Sequence, residues 1–227
     1  MKLKRKTSNI RHTVRFPRVA SGLATQSSRL LETVMERLAT EYTVSSQDVS
    51  IRSGITLDDW SLRISMFNRL GTITITVDGV QSLFSRLTTD NDLAVVMDVQ
   101  TKLMEAISSH SPTLKSATEL VAGDVMYVAV DGESARTEYF SRISFPGKSD
   151  AHGDMSFKAR MRHPQHDVTG TFEVAPLWTN KDDVVFSFDA DTSQLADVEF
   201  NKRAVIVNEL VSIALKSFDL EVEEATP

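Results

Sequence analysis

The segment DDWSLRISMF constrains the fold most. Its apolar residues Trp60, Leu62, Ile64 and Met66 alternate with Ser61, Arg63 and Ser65. A period of two puts one face in a core and the other in water, the pattern of a half-buried antiparallel strand. The pattern returns in TITITV (72–77) and in MSFKARMRH, where Met155, Phe157, Ala159 and Met161 oppose Ser156, Lys158, Arg160 and Arg162. A sheet with one apolar face needs a cover.

Three segments supply that cover. Residues 26–42 place Leu30, Leu31, Val34, Met35, Leu38 and Tyr42 on one helical face, with Ser27 or Ser28 as cap. TDNDLAVVMDVQTKLMEAI starts with Asp90, Asn91 and Asp92, which suit a helix N-terminus, and carries Leu93, Val96, Met97, Leu103, Met104 and Ile107 as its stripe. A long closing helix is expected over about 195–218, with Val207, Leu210, Val211, Ala214, Leu215 and Phe218. The fold class is α+β: two antiparallel sheet-plus-helix halves, read as a structural duplication.

Further strands are expected in DVSIRS, DVMYVAV, TEYFSRISF, TGTFEVAPLW and DDVVFSFDAD, and VQSLFSRL fits strand or helix. Asp78-Gly79 and Asp131-Gly132 read as hairpin turns, and HPQHD (163–167) as the turn after MSFKARM. Residues 1–10 read as disordered. HTVRFPRV reads as a short edge strand because of Pro17. The organisation expected is a basic arm with an edge strand at 1–18, an α+β half at 19–110 and a linker at 111–116. An antiparallel sheet with its long helix follows at 117–220, then an acidic tail at 221–227.

Charge is distributed unevenly. The net charge is -6, yet the first 31 residues carry eight basic side chains and no acid. Such asymmetry points to an arm that seeks an anionic surface, a partner's or the protein's own. The basic start is not followed by the apolar stretch of a secretory signal, and no apolar run reaches the ~18 residues of a membrane span. There is no cysteine, so no disulfide and no thiolate chemistry is available. The expectation is a cytoplasmic protein with no membrane.

The layout resembles a sporadically distributed bacterial family of uncharacterised proteins of about 230–270 residues. The residues that carry the resemblance are HTVRFPRV, the pair SLRISMFNRLGTITITV, the helix DLAVVMDVQTKLMEAI, the strand VVFSFDAD and the long closing helix. It is a likeness of layout over most of the chain. It implies an accessory role beside mobile or defence elements, no known activity, and no transferable site residue.

Catalytic signatures are missing. The chain has no G-x-S-x-G, no G-x-G-x-x-G and no phosphate-binding Walker loop. No cofactor is expected, and the reading leans away from an enzyme. His152, His163, His166 and Asp167 combine imidazole and carboxylate and are the candidates for a metal site, against exposed turn residues. The acid pairs Asp58-Asp59, Asp182-Asp183 and Asp189-Ala-Asp191 stand at strand edges, where paired carboxylates can do acid/base work, and Asp191 reads instead as a turn or cap residue before the last helix. Lys2, Lys4, Arg5, Lys6, Arg11, Arg15 and Arg18 of the arm, with Lys158, Arg160 and Arg162 of one strand, are the candidates for holding a nucleic acid or another anionic partner. Three functions fit: a module for a protein partner or self-association, a nucleic-acid-binding accessory protein, and a ligand or hydrolytic pocket between sheet and closing helix.

Overall fold

The computed structural model describes residues 1–88, 92–110, 117–142, 156–177, 179–195, 198 and 200–223. One ten-stranded sheet is covered on one face by helices. The first half runs β1 (Lys2–Arg15), α1 (Ser21–Thr25), α2 (Ser27–Leu38), β2 (Val49–Arg52), β3 (Ser61–Met66), β4 (Gly71–Thr76), β5 (Gly79–Leu87) and α3 (Asp92–His110). The second runs β6 (Thr118–Ala129), α4 (Gly132–Arg142), β7 (Phe157–Arg162), β8 (Thr169–Pro176), β9 (Asp183–Asp191), α5 (Phe200–Ser217) and β10 (Glu221–Val222).

The strand order is β2-β3-β4-β5-β1-β6-β9-β8-β7, and β10 pairs β1. Read outward from the antiparallel β1–β6 pair, each half gives the same sequence of places: β5, β4, β3 on one side and β9, β8, β7 on the other. Each half also repeats strand, helix, meander, long helix. The two halves therefore share a single sheet around a pseudo-two-fold axis between β1 and β6, with β2 added to the first half. The 111–116 linker lies outside the described residues.

Local chemistry accounts for the elements. On β3, Leu62, Ile64 and Met66 face the helices, paired through Ile73 and Ile75 of β4. α2 buries Leu30, Val34 and Leu38, spaced four residues apart. α3 lies between α2 and α5 and also on β1 and β5, so it is buried over most of its circumference. α5 sets Leu210 over β8, where its Cδ2 lies 3.3 Å from the place a Cβ on Gly170 would take. Phe186 of β9 meets Phe218, just past α5, edge to face. The sheet–α5 interface is packed at these points, and beside it a hollow of about 550 Å³ opens between α5 and the turn after β7, lined by His163, Gln165, Val205, Glu209 and Lys216.

Four expectations are corrected. Residues 1–10 are not disordered, and HTVRFPRV is not at an edge: Lys2–Arg15 is the central strand, pairing β5 on one side and β6 on the other. It ends before Pro17, so no ladder hydrogen bond is lost there. TEYFSRISF is not a strand in its described part. Residues 132–142 are helical, with Arg136, Tyr139 and Phe140 buried at i, i+3 and i+4. Asp131-Gly132 therefore leads into that helix rather than a hairpin, and Gly132 takes φ 75°, a conformation glycine allows without strain. VQSLFSRL resolves as strand β5.

Candidate anion-binding sheet face

The helices cover one face of the sheet and leave the other open. Cross-strand register shows what the open face displays, because directly paired residues point to the same side. One row reads Arg63, Thr74, Gln81, Thr13, Leu120, Asp191, Thr169, Arg162 from β3 to β7. The next reads Ser65, Thr72, Leu83, Arg11, Ala122, Asp189, Thr171, Arg160. A third, over the second half, reads Asn9, Asp124, Ser187, Glu173, Lys158.

The basic strand β1 and the basic strand β7 thus share one face. They do not fuse into one patch. Four strand spacings, roughly 19 Å at ~4.8 Å each, separate Arg11 from Arg160. Asp124, Asp189, Asp191 and Glu173 lie between them. Arg52 and Arg63 form a third cationic lane on β2 and β3, beyond β5 and β4. The alternation in SLRISM already put Arg63 on the polar side. It went unrecognised as a site residue because nothing local tells that β3 and β7 end in one sheet.

The cations of this face are mostly free. Arg11, Arg15, Arg52, Arg63, Lys158 and Arg160 are exposed and make no ion pair among the described residues. Two are engaged: Lys6 donates to buried Asp183 at 2.8 Å, and Arg162 pairs with Asp167 at 3.0 Å. On the helical side Arg37, Lys102, Arg142 and Arg203 sit against carboxylates, whereas Arg29 and Lys216 are exposed and make no ion pair among the described residues. Lys2 and Lys4 are exposed near the start of β1, and Arg18 is exposed beyond its end. A hollow of about 170 Å³ opens between Arg11, Asp124 and Asp189, floored by Ala122. No aromatic residue appears in the three rows; Phe84, Phe172, Phe186 and Phe188 all face the core.

Arg5 is corrected. It points to the helical side, where its Nη2 donates to Asp92 at 2.7 Å and to Ser8 Oγ at 2.8 Å. Nearby on the same face, Ser82 Oγ donates to Gln100 at 2.6 Å, and Glu119 pairs with Arg203. His12, fully buried, belongs to this polar layer. Burial pushes its ring down to about 4; Gln100 opposes this and the Arg203 charge adds to it.

The metal candidates are committed elsewhere. His163 is buried, its Nε2 3.1 Å from Glu209 and its Nδ1 accepting from the Gln165 N–H at 3.2 Å. His166 lies ring to ring with it at 4.8 Å, and Asp167 is turned to Arg162. His152 lies outside the described residues. No group of three metal-ligating side chains occurs among the described residues, and none of their helices is long and apolar enough to cross a membrane.

No protein-family model matches the chain, and no curated protein is significantly similar to it. What the fold and face define is a class: a two-fold pseudo-symmetric α+β protein with one open, polar, arginine-bearing sheet face.

Proposed function

We propose that this protein binds nucleic acid through the open face of its sheet, contacting the phosphate backbone. One observation carries the reading: Arg11, Arg15, Arg63, Lys158 and Arg160 stand exposed on one sheet face with no ion pair among the described residues. Unpaired guanidinium groups in a sheet are pre-positioned donors for phosphate oxygens. The rows of Ser and Thr between them add neutral hydrogen-bond donors of the kind that fix register on a backbone. The acidic lane of Asp124, Asp189, Asp191 and Glu173 lies on the same face, so the polyanion's backbone would track the cationic lanes on either side of it.

The test is a fluorescence-anisotropy titration against duplex and single-stranded oligonucleotides at about 50 and 200 mM salt. The charge-reversed variant Arg11→Glu/Lys158→Glu/Arg160→Glu is titrated beside the native protein. Binding that falls steeply with salt and at least tenfold with the triple variant supports the reading. No binding at low salt, or equal binding by the variant, overturns it.

A further inference from the structure

We infer that the edge strand β2 pairs antiparallel with β2 of a second copy of this chain, with the two-fold axis through Ser50. Among the described residues the main strand order ends at two edges, β2 and β7, and the two-residue β10 pairs only the start of β1. β7 carries Lys158, Arg160 and Arg162 on its open side, so two copies meeting there would set like charges against each other. β2 carries only Arg52. Its helix-side residue Ile51 is 44% exposed, although its cross-strand partner Leu62 is fully buried. Ile55 is entirely exposed and Leu57 47% exposed in the turn that follows. The edge therefore offers unpaired backbone groups beside uncovered apolar surface.

The sequence of β2 selects the occupant and the register. Directly opposed residues in an antiparallel pair point to the same face, so a strand can meet its own copy only with the axis through a residue. With the axis at Ser50, Val49 faces Ile51 of the second copy on the helical side, and this happens twice. Arg52 falls opposite the 3-10 turn Ser46–Asp48 of the second copy, where the Asp48 carboxylate accepts from the Ser45 N–H at 3.0 Å and from Ser45 Oγ at 2.8 Å. An axis at Ile51 would set Ile51 against itself but Val49 against Ser53, leaving one apolar pair in place of two. The register through Ser50 is therefore the one that pairs the most apolar surface. The resulting sheet runs through both copies and keeps their open faces on one side.

Sedimentation velocity over about 5–200 μM, on protein free of nucleic acid, tests the association. The native protein is expected to dimerise in that range, and Ile51→Lys to weaken the dimer at least tenfold. The register is tested by thiol cross-linking, since the chain has no cysteine. Ser50→Cys brings two thiols face to face on the axis, with Cα atoms about 4.5–5.5 Å apart, inside the disulfide range. Ser65→Cys, on β3, serves as the control. Oxidation is expected to give a covalent dimer with Ser50→Cys and not with Ser65→Cys. A native protein that stays monomeric at 200 μM overturns the inference, as does a dimer that cross-links no faster through Ser50→Cys than through the control.

Discussion

Arg203 of α5 and Glu119 of β6 form an ion pair that is closed to water, with side chains 4% and 9% exposed. Arg5 of β1 and Asp92 of α3 hold the corresponding place in the first half with the charges exchanged between strand and helix. Each pair ties the start of a long helix to a central strand. The Arg203 Nε also donates to the Val198 carbonyl at 2.8 Å, holding the turn that leads into α5.

Removing one partner should therefore be costly. Glu119→Gln leaves a buried guanidinium without its counter-charge, and a loss of about 3–5 kcal/mol is expected from urea unfolding. The double variant Glu119→Leu/Arg203→Met should recover most of that loss, because it removes the buried charges together. A single variant within about 1 kcal/mol of the native protein would show that the pair is not closed to water as described.

His12 makes stability depend on pH. Its ring is neutral in the fold down to about pH 4, whereas in the unfolded chain it takes up a proton near 6.5. Above 6.5 the group contributes no pH dependence. As pH falls from 6.5 to 4 the unfolded state binds a proton that the folded state refuses, and stability drops by about 3 kcal/mol in total, levelling off below. His12→Gln should lack this component. Urea midpoints at pH 7.5, 6, 5 and 4 for both proteins give the comparison, and parallel curves would rule the effect out.

Gly123 is a packing requirement. It pairs with Phe188 across β6 and β9, and a Cβ there would meet the phenyl Cε1 at 2.6 Å and Cζ at 2.8 Å. Gly71 stands in the same relation to Phe84, with a contact of 2.8 Å. In each case an aromatic ring covers the backbone of a glycine. Gly123→Ala should cost about 1–3 kcal/mol by overpacking, read as a lower urea midpoint with an unchanged slope. An unchanged midpoint would mean that the ring moves aside freely.

The open face predicts a particular salt response. If Arg11, Lys158 and Arg160 each neutralise a phosphate on duplex DNA, the triple reversal should flatten the log–log salt slope by about 0.9 per contact, roughly 2.7 in all. Arg63→Glu alone should flatten it by about 0.9. Arg37→Glu, on the helical side, should leave the slope unchanged. A slope that responds to Arg37 and not to Arg63 would place the polyanion on the wrong side of the sheet for this reading.

Local pattern was enough for much of the fold. SLRISM and TITIT alternate cleanly, and the structure buries Leu62, Ile64, Ile73 and Ile75 while turning Arg63 and Thr74 outward. The stripes of α2, α3 and α5 were equally legible, because periods of 2 and 3.6 are written residue by residue. KLKRKTSN was not legible as a strand. Its inward positions hold Arg5 and Ser8, polar groups that Asp92, 87 residues beyond Arg5, helps to satisfy. TEYFSR was misjudged through its aromatics, whose i, i+3, i+4 spacing with Arg136 is helical.

The sequence by itself thus determined the fold class, the polarity of each strand's two faces, and the types of residue available to meet an anion. Tertiary structure alone decided that β1 is central, that Arg5 turns inward while Arg11 and Arg15 turn outward, and that Arg63 and Arg160 share one face with an acidic lane between the lanes of β1 and β7. The physical reason is that side-chain alternation is a property of neighbours in the chain, whereas strand order is settled by burial and backbone pairing between segments far apart in it.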